Sequence, residues 1–286
     1  TLNYDGVPAT EQLLSFHRLK PLIGVKIKTV IAGPDAFHSI CIDTVGRAYA
    51  WGRNEAGQLG TGDIINRYNP THIMEETRFR GGAASSHHTV LLSILGQAYS
   101  CGSNNCGQLG IGSRATSKTE LTLIEATSDI TKISCGREFT MFVDAHGQMF
   151  SCGSPEHGCL GNGTDGKFLE KAGKYSYAYE KTPIKITALQ GTVINDVACG
   201  SKHTVAICAE GKVYSWGFGG YGRLGHGDVK ERHVPTQVEF FCKPPRVWAD
   251  NIPMFMRNSR PPLRAKSIAC TSAACFVVEK ATSALY

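Results

Sequence analysis

Apolar and polar positions alternate in short runs along this chain, and the runs come in copies. Ala48-Tyr49-Ala50-Trp51, Ala98-Tyr99-Ser100-Cys101, Met149-Phe150-Ser151-Cys152 and Val213-Tyr214-Ser215-Trp216 each end on a glycine. A half-alternating aromatic run of that length suits a strand with one buried face. After each run comes a glycine-dense phrase with a single large apolar residue, Leu59, Leu109, Leu160 or Leu224. Glycine at that density cannot propagate a helix; it suits tight turns that need positive φ or close backbone approach. The leucine is then expected to plug the gap between neighbouring units. Upstream, Ile133-Ser134-Cys135-Gly136 followed by 140–144 is echoed by Val197-Ala198-Cys199-Gly200 followed by 204–207, which predicts two more strands and a turn. Downstream, Pro70, Pro183 and Pro235 are each expected to open a last strand, because proline is tolerated at a strand's first position or on an edge.

The anchor glycines Gly52, Gly102, Gly153 and Gly217 lie 50, 51 and 64 residues apart, and the turn glycines Gly60, Gly110, Gly161 and Gly225 keep step with them. Self-similarity at such a period marks an array of supersecondary units. Each unit reads as a four-stranded antiparallel blade of about 50 residues, the size of a propeller blade. The predicted fold class is therefore all-β, a β-propeller forming a single domain over residues 1–286. Whole blades are expected at about 25–75, 79–126, 130–189 and 193–241, with partial blades at 1–24 and 265–286.

The phrase Trp-Gly-x4-Gly-x-Leu-Gly-x-Gly, preceded by Cys199-Gly200-x-x-His203-Thr204, resembles the regulator-of-chromosome-condensation repeat. Three stretches resemble one branch of that family, the branch of regulator of chromosome condensation 2, or telophase-disc protein. They are 153–158, 165–168 and 216–225. The likeness spans about residues 25–280. It implies a seven-bladed ring, of which 286 residues hold only part. The closing Leu285-Tyr286 matches the opening of a next Leu-Tyr-x-Trp-Gly strand, so the expectation is a fragment cut within a blade, with exposed strand edges. A shorter, atypical propeller is the alternative.

Composition narrows the chemistry. Apolar content of 42% is enough for a substantial core, and no run of about 18 apolar residues is present. Cys135 and Cys199 hold equivalent places, and Cys101 and Cys152 stand where Trp51 and Trp216 do, so the 11 cysteines read as small buried hydrophobes in a reducing compartment. Nucleus and cytoplasm are the expected locations. Gly217-Phe218-Gly219-Gly220-Tyr221-Gly222 fits a dinucleotide fingerprint, yet the residues after it cannot start the helix that fingerprint requires. Neither Cys101-x4-Cys106 nor Cys152-x6-Cys159 has zinc-site pairing. His88 and His203 share one repeat slot, occupied by Phe139 and Ala274 elsewhere, and are expected to be packed or hydrogen-bonded parts of the blade. No catalytic residue, metal ligand or cofactor site is assigned.

Two segments break the repeat, and breaks in a regular scaffold tend to carry function. The insertion at 164–181 interleaves Lys167, Lys171 and Lys174 with Tyr175, Tyr177 and Tyr179. Cations among aromatics suit a protein surface or a nucleic acid; an ordinary long hairpin with tyrosines packed on the blade is the other reading. The basic, proline-rich linker at 242–264, read on to Lys266, contributes a net +5 of the chain's formal +6. It reads as a docking tail or anionic-surface contact without regular structure. The candidate partner-binding residues are Lys167, Lys171, Lys174, Tyr175 and Arg223. Resemblance to the branch implies a non-enzymatic mitotic scaffold at spindle or centromere, with partners among small GTPases of the Rac, Ral or Ran type, microtubules, and centromere or chromatin proteins. The alternative is a guanine-nucleotide exchange factor. Exchange would need no acid, base or metal, since a partner preferring the nucleotide-free GTPase shifts its population.

Overall fold

The computed structural model describes residues 19–170, 173–241 and 264–279. The first blade holds β1 (Ile27–Ile31), β2 (His38–Asp43), β3 (Ala48–Gly52) and β4 (Arg67–Ile73). The second holds β5 (Phe79–Ala84), β6 (His88–Ser93), β7 (Ala98–Ser103) and β8 (Ser117–Leu123). β9 (Ile130–Cys135), β10 (Phe139–Asp144) and β11 (Met149–Gly153) open the third blade, and a separate hairpin of β12 (Lys167–Leu169) and β13 (Tyr175–Tyr177) precedes its outer strand β14 (Glu180–Lys185). The fourth comprises β15 (Ile194–Cys199), β16 (His203–Cys208), β17 (Val213–Gly217) and β18 (Arg232–Gln237). A last pair, β19 (Ala265–Cys270) and β20 (Cys275–Glu279), begins a fifth. Strands in every sheet pair antiparallel in chain order, and the innermost strands β1, β5, β9, β15 and β19 touch in succession around one axis. This is the all-β propeller architecture that the repeat period predicts. The partial blade before residue 19, the linker at 242–263 and the final 280–286 lie outside the described residues.

Antiparallel order assigns the loops to two faces. Loops from first to second strand and from third to fourth strand share one face, called here the glycine-turn face. The tight turns between second and third strands, and the links between blades, share the other. Near the axis the loops of the glycine-turn face converge: Asp35 of the first blade accepts hydrogen bonds from Ser201 of the fourth and from Ser272 Oγ of the fifth, the latter at 2.7 Å.

Burial explains where simple alternation holds and where it fails. The second strands β6, β10 and β16 are buried at every position, because neighbouring blades cover both faces of the sheet. The outer strands are half-exposed. The apolar clusters straddle pairs of blades: Ile40 and Leu59 of the first pack with Phe79, Leu91 and Cys101 of the second, and Leu160 of the third packs with Val197 and Trp216 of the fourth. All four turn leucines are buried. The prolines differ from expectation. Pro70, Pro183 and Pro235 each stand fourth in their strand. The outer edge has no further strand to receive an N–H, and the register shifts beside each proline, as between Ala50 and Gly52 opposite β4.

The blades are clamped through the turns. Thr89 Oγ1 of the second blade donates to the Gln58 carbonyl of the first at 2.7 Å, and Thr140 Oγ1 of the third donates to Gln108 of the second at 2.8 Å. Cys101 and Cys152 direct their thiols at the same two carbonyls, and Trp216 Nε1 donates to Cys159 at 3.0 Å. The position shared by Cys101, Cys152 and Trp216 thus carries a weak or strong donor as well as apolar bulk. His38 Nε2 meets Thr89 Oγ1 at 2.7 Å, and His88 Nε2 meets Thr140 Oγ1 at 3.0 Å. Since each hydroxyl proton goes to a carbonyl, the imidazole must donate from Nε2 and leave Nδ1 bare; both Nδ1 atoms are buried without a partner among the described residues. Burial pushes these histidines down to about 4 and about 3, helped by His87 beside His38 and by His38 beside His88.

The backbone at the glycines repeats closely. Gly52, Gly102, Gly153 and Gly217 have φ of 110°, 104°, 111° and 99°, while Gly60, Gly110, Gly161 and Gly225 lie between 70° and 72°. At Gly102 an added Cβ would also stand 2.2 Å from the His87 carbonyl oxygen. Gly102→Ala is expected to cost at least about 2 kcal/mol in denaturant unfolding, and Gly227→Ala, with φ of 79° and open space, about 1 kcal/mol. Equal costs would show that strain, rather than close approach, governs the anchor.

Histidine burial sets an acid limit on the fold. In the unfolded chain these imidazoles titrate near about 6.5. The unfolded chain therefore binds more protons between that value and the folded values of about 4 and about 3. Stability is full above about pH 6.5 and falls as pH drops through the window, by up to about 3–5 kcal/mol per histidine. His38→Phe copies Phe139, which holds the same slot opposite the anchor glycine of its own blade. Melting temperature against pH for this variant should be flatter than wild type between about pH 6.5 and 4; parallel profiles would remove His38 from the acid limit.

Candidate functional site

On the glycine-turn face, the loops after β11 and β17 depart from the first two copies. Each closes a short 3-10 turn, Glu156–Gly158 and Gly220–Gly222, in which the central residue is left-handed: His157 and Tyr221 both have φ of 61°. Ala56 and Cys106, in the same slot of the first two copies, are not in that region. A β-carbon there is strained, so the backbone holds these two side chains outward at a cost. The glycines of the fingerprint-like stretch at 217–222 build this turn rather than a helix start.

The two turns meet between the third and fourth blades. His157 bridges Glu231 through Nδ1 at 2.5 Å and Lys202 Nζ through Nε2 at 3.1 Å, and Lys202 also pairs with Glu156 at 3.3 Å. The imidazole packs on Phe218 with centroids 4.8 Å apart. The Arg223 guanidinium lies 4.8 Å from the Phe218 ring centre and 5.7 Å from that of Tyr221. Tyr221 is 93% exposed, the most exposed large apolar side chain among the described residues.

The insertion joins this cluster at its base. Ala178 N–H donates to the Gly166 carbonyl at 2.9 Å, and a Cβ on Gly166 would stand 2.3 Å from Pro155, directly before Glu156. The hairpin β12–β13 projects from there, with Phe168, Leu169 and Tyr175 exposed. Lys167 Nζ lies 4.1 Å from the Tyr175 ring centre, and the hairpin end closes by Glu170 N–H donating to Lys174 at 2.8 Å. Burial first, and Glu156 next, push the Tyr177 hydroxyl up. Tyr179 reaches about 12, from burial and the adjacent Cys106. Lys167 and Tyr175 are thus together, Arg223 is across the Glu156–His157 network from them, and Lys171 lies outside the described residues. His157, Lys202, Phe218, Tyr221 and Glu231 complete the surface and were not singled out from sequence. The available signal was the contrast of His157 and Tyr221 with Ala56 and Cys106 at one repeat position. Chemically, the face offers stacked cations, aromatics and ion pairs suited to binding.

Known proteins agree with this architecture. The family model described as the regulator of chromosome condensation (RCC1) repeat matches residues 45–92, 96–143, 146–207 and 210–249. Those units run out of phase with the sheets, the first taking β3 and β4 of one blade with β5 and β6 of the next. Protein RCC2 of Homo sapiens is 37% identical over 246 residues, covering 80% of this chain and 47% of that protein. The RCC2 homolog of Danio rerio is 38% identical over 245 residues, covering 80% of this chain and 50% of its own length. The chain thus spans about half the length of the curated relatives it matches. Among solved structures, Prp20p of Saccharomyces cerevisiae superposes with a TM-score of 0.69 over 97% of this chain and 60% of its own, at 21% identity. Four matched repeats, laid on successive blades of one propeller, make the chain a member of the regulator of chromosome condensation repeat family.

Proposed function

We propose that this chain is a non-enzymatic propeller scaffold in mitosis and cell division. Its glycine-turn face docks a small GTPase of the Ran, Rac or Ral type, with microtubules and centromere or chromatin proteins as further partners. Such a scaffold works in nucleus and cytoplasm, and at the spindle or centromere during mitosis. The observation that carries the reading is the exposed Tyr221, held on strained backbone beside the Arg223–Phe218 stack. Exposed aromatic and arginine side chains fixed in place are the groups that dominate protein interfaces. The fold likeness to Prp20p, described for its binding to Gsp1p and histones, supports this class of partner.

A second reading, guanine-nucleotide exchange, is favoured by the projecting β12–β13 hairpin, whose exposed Phe168 and Leu169 suit insertion into a partner. Fluorescent-nucleotide release from Ran, Rac and Ral, measured beside direct binding, separates the two. Binding without acceleration is the expected result. Strong stimulation of release establishes exchange, and no binding to any GTPase or to microtubules defeats both readings. Arg223→Ala should weaken the complex about 30-fold, corresponding to about 2 kcal/mol. Higher salt should weaken the contacts of Lys167 and Lys174 as the Debye length falls below about 8 Å.

Strain at the site makes stability and binding oppose each other. Tyr221→Gly removes a β-carbon from φ of 61° and loses little packing, so unfolding free energy should rise by about 1 kcal/mol while partner affinity falls. A variant that gains stability and keeps full affinity would take Tyr221 out of the interface.

A further inference from the structure

The histidine slot, filled by Phe139 in the third blade, holds an imidazole again in the fourth. His203 occupies the slot of His38 and His88, opposite the anchor glycine of its own blade. In those two blades Nε2 reaches a threonine of the next blade. The next blade here is the β19–β20 pair, and the residue in the threonine position is Cys275, paired with Cys270 as Thr204 is with Cys199. His203 is fully buried, and among the described residues neither of its ring nitrogens has a partner within hydrogen-bond distance. Cys270 and Cys275 are free thiols with their sulfurs 3.2 Å apart, and the imidazole nitrogen and both sulfurs lie within 4.8 Å of one another.

We propose that His203, Cys270 and Cys275 form a binding site for a thiophilic divalent cation of the Zn²⁺ class, joining the fourth blade to the fifth. Tetrahedral coordination with Zn–S of about 2.3 Å and Zn–N of about 2.05 Å places two sulfurs about 3.8 Å apart and nitrogen about 3.6 Å from each. The sulfurs need part by only about 0.6 Å to reach that spacing. Antiparallel pairing of β19 with β20 sets Cys270 directly opposite Cys275, so strand register rather than sequence spacing brings the two thiols together. Charge also balances: two thiolates and a neutral imidazole cancel the two positive charges of the ion in a half-buried place. Binding releases the two thiol protons to solvent and changes no oxidation state.

Supporting geometry is present around the ligands. A Cβ on Gly200 would stand 2.0 Å from the His203 ring, so glycine there lets the imidazole lie flat against the loop. A groove of about 400 Å³ between Tyr221, Arg223, Phe240 and Ala273 leads to Cys275 and provides an entry path. A Cys270–Cys275 disulfide is the competing outcome. It would leave the imidazole without a partner, whereas a metal supplies one.

The chain's own repeats provide variants that keep the fold. Cys275→Thr installs the residue of Thr89, Thr140 and Thr204, and His203→Phe installs that of Phe139 beside a matching glycine. Reduced full chain, stripped with chelator, is titrated with Co²⁺ and then Zn²⁺. Expected are one equivalent bound, a thiolate-to-cobalt charge-transfer band with tetrahedral d–d absorption, and displacement of cobalt by zinc. Cys275→Thr, His203→Phe and Cys270→Ser should each weaken binding more than about 100-fold, beyond the loss of an outer-shell partner. Zinc should raise the melting temperature of wild type and not of folded Cys275→Thr. Affinity in Cys275→Thr equal to wild type overturns the proposal. So does a non-reduced thiol titration two short of 11 whose mass spectrum places the missing pair at Cys270 and Cys275.

Discussion

The arc depends on one acceptor in each of the first three blades, the carbonyl just before the turn leucine. Gln58 takes Thr89 and Cys101 on that oxygen, Gln108 takes Thr140 and Cys152, and Cys159 takes Trp216. Every donor belongs to the following blade. The bond therefore draws the next sheet over the leucine and buries it; burial of a leucine side chain contributes about 1.5–3 kcal/mol. Because the apolar clusters straddle blades, no blade has a complete core of its own. Stability in such an array is a sum of unit terms and neighbour terms, and here each apolar cluster contributes to a neighbour term.

The same clamp explains what was legible in the chain and what was not. Glycine periodicity exposed the turns, since residues with a β-carbon rarely occupy φ near 70° or 110°. Aromatic alternation exposed the third strands. Strand starts at Arg67, Glu180 and Arg232 were hidden because the register shift beside each proline breaks the two-residue period. At the candidate site, Lys167 and Tyr175 stood out by composition, whereas His157, Phe218 and Glu231 lie up to 74 residues apart and meet only through the alignment of two blades. A contact between copies leaves no trace in a pattern read within one copy.

Two kinds of polar residue coexist in this scaffold, and burial separates their roles. His38 and His88 are neutral, dry and bonded to the next blade, so they serve cohesion and limit acid stability. His157 instead lies among Glu156, Lys202 and Glu231 at the rim, where ion pairs exchange readily with solvent and add little to folding. Little stability is lost if a partner's charges replace those pairs. The rim network between the third and fourth blades is thus well placed to be rearranged on docking, while the buried relay of the first three blades stays fixed.

Repeated copies act as internal controls for this division. Where all four agree, as at the anchor glycines and turn leucines, the backbone angles and burial agree too, and packing is sufficient reason for the residue. Where a copy departs, packing is not. Tyr221 places a β-carbon at φ of 61° and leaves its ring in solvent, although glycine would suit that backbone better. Cys275 replaces a threonine that would have satisfied a buried imidazole. Each departure makes the isolated fold worse by a recognisable physical term, strain in one case and an unpartnered buried nitrogen in the other. Both lie along the groove between the fourth blade and the fifth, which Tyr221 and Cys275 line together. A departure that costs the fold and has no reason in packing is what a binding site looks like in such a scaffold.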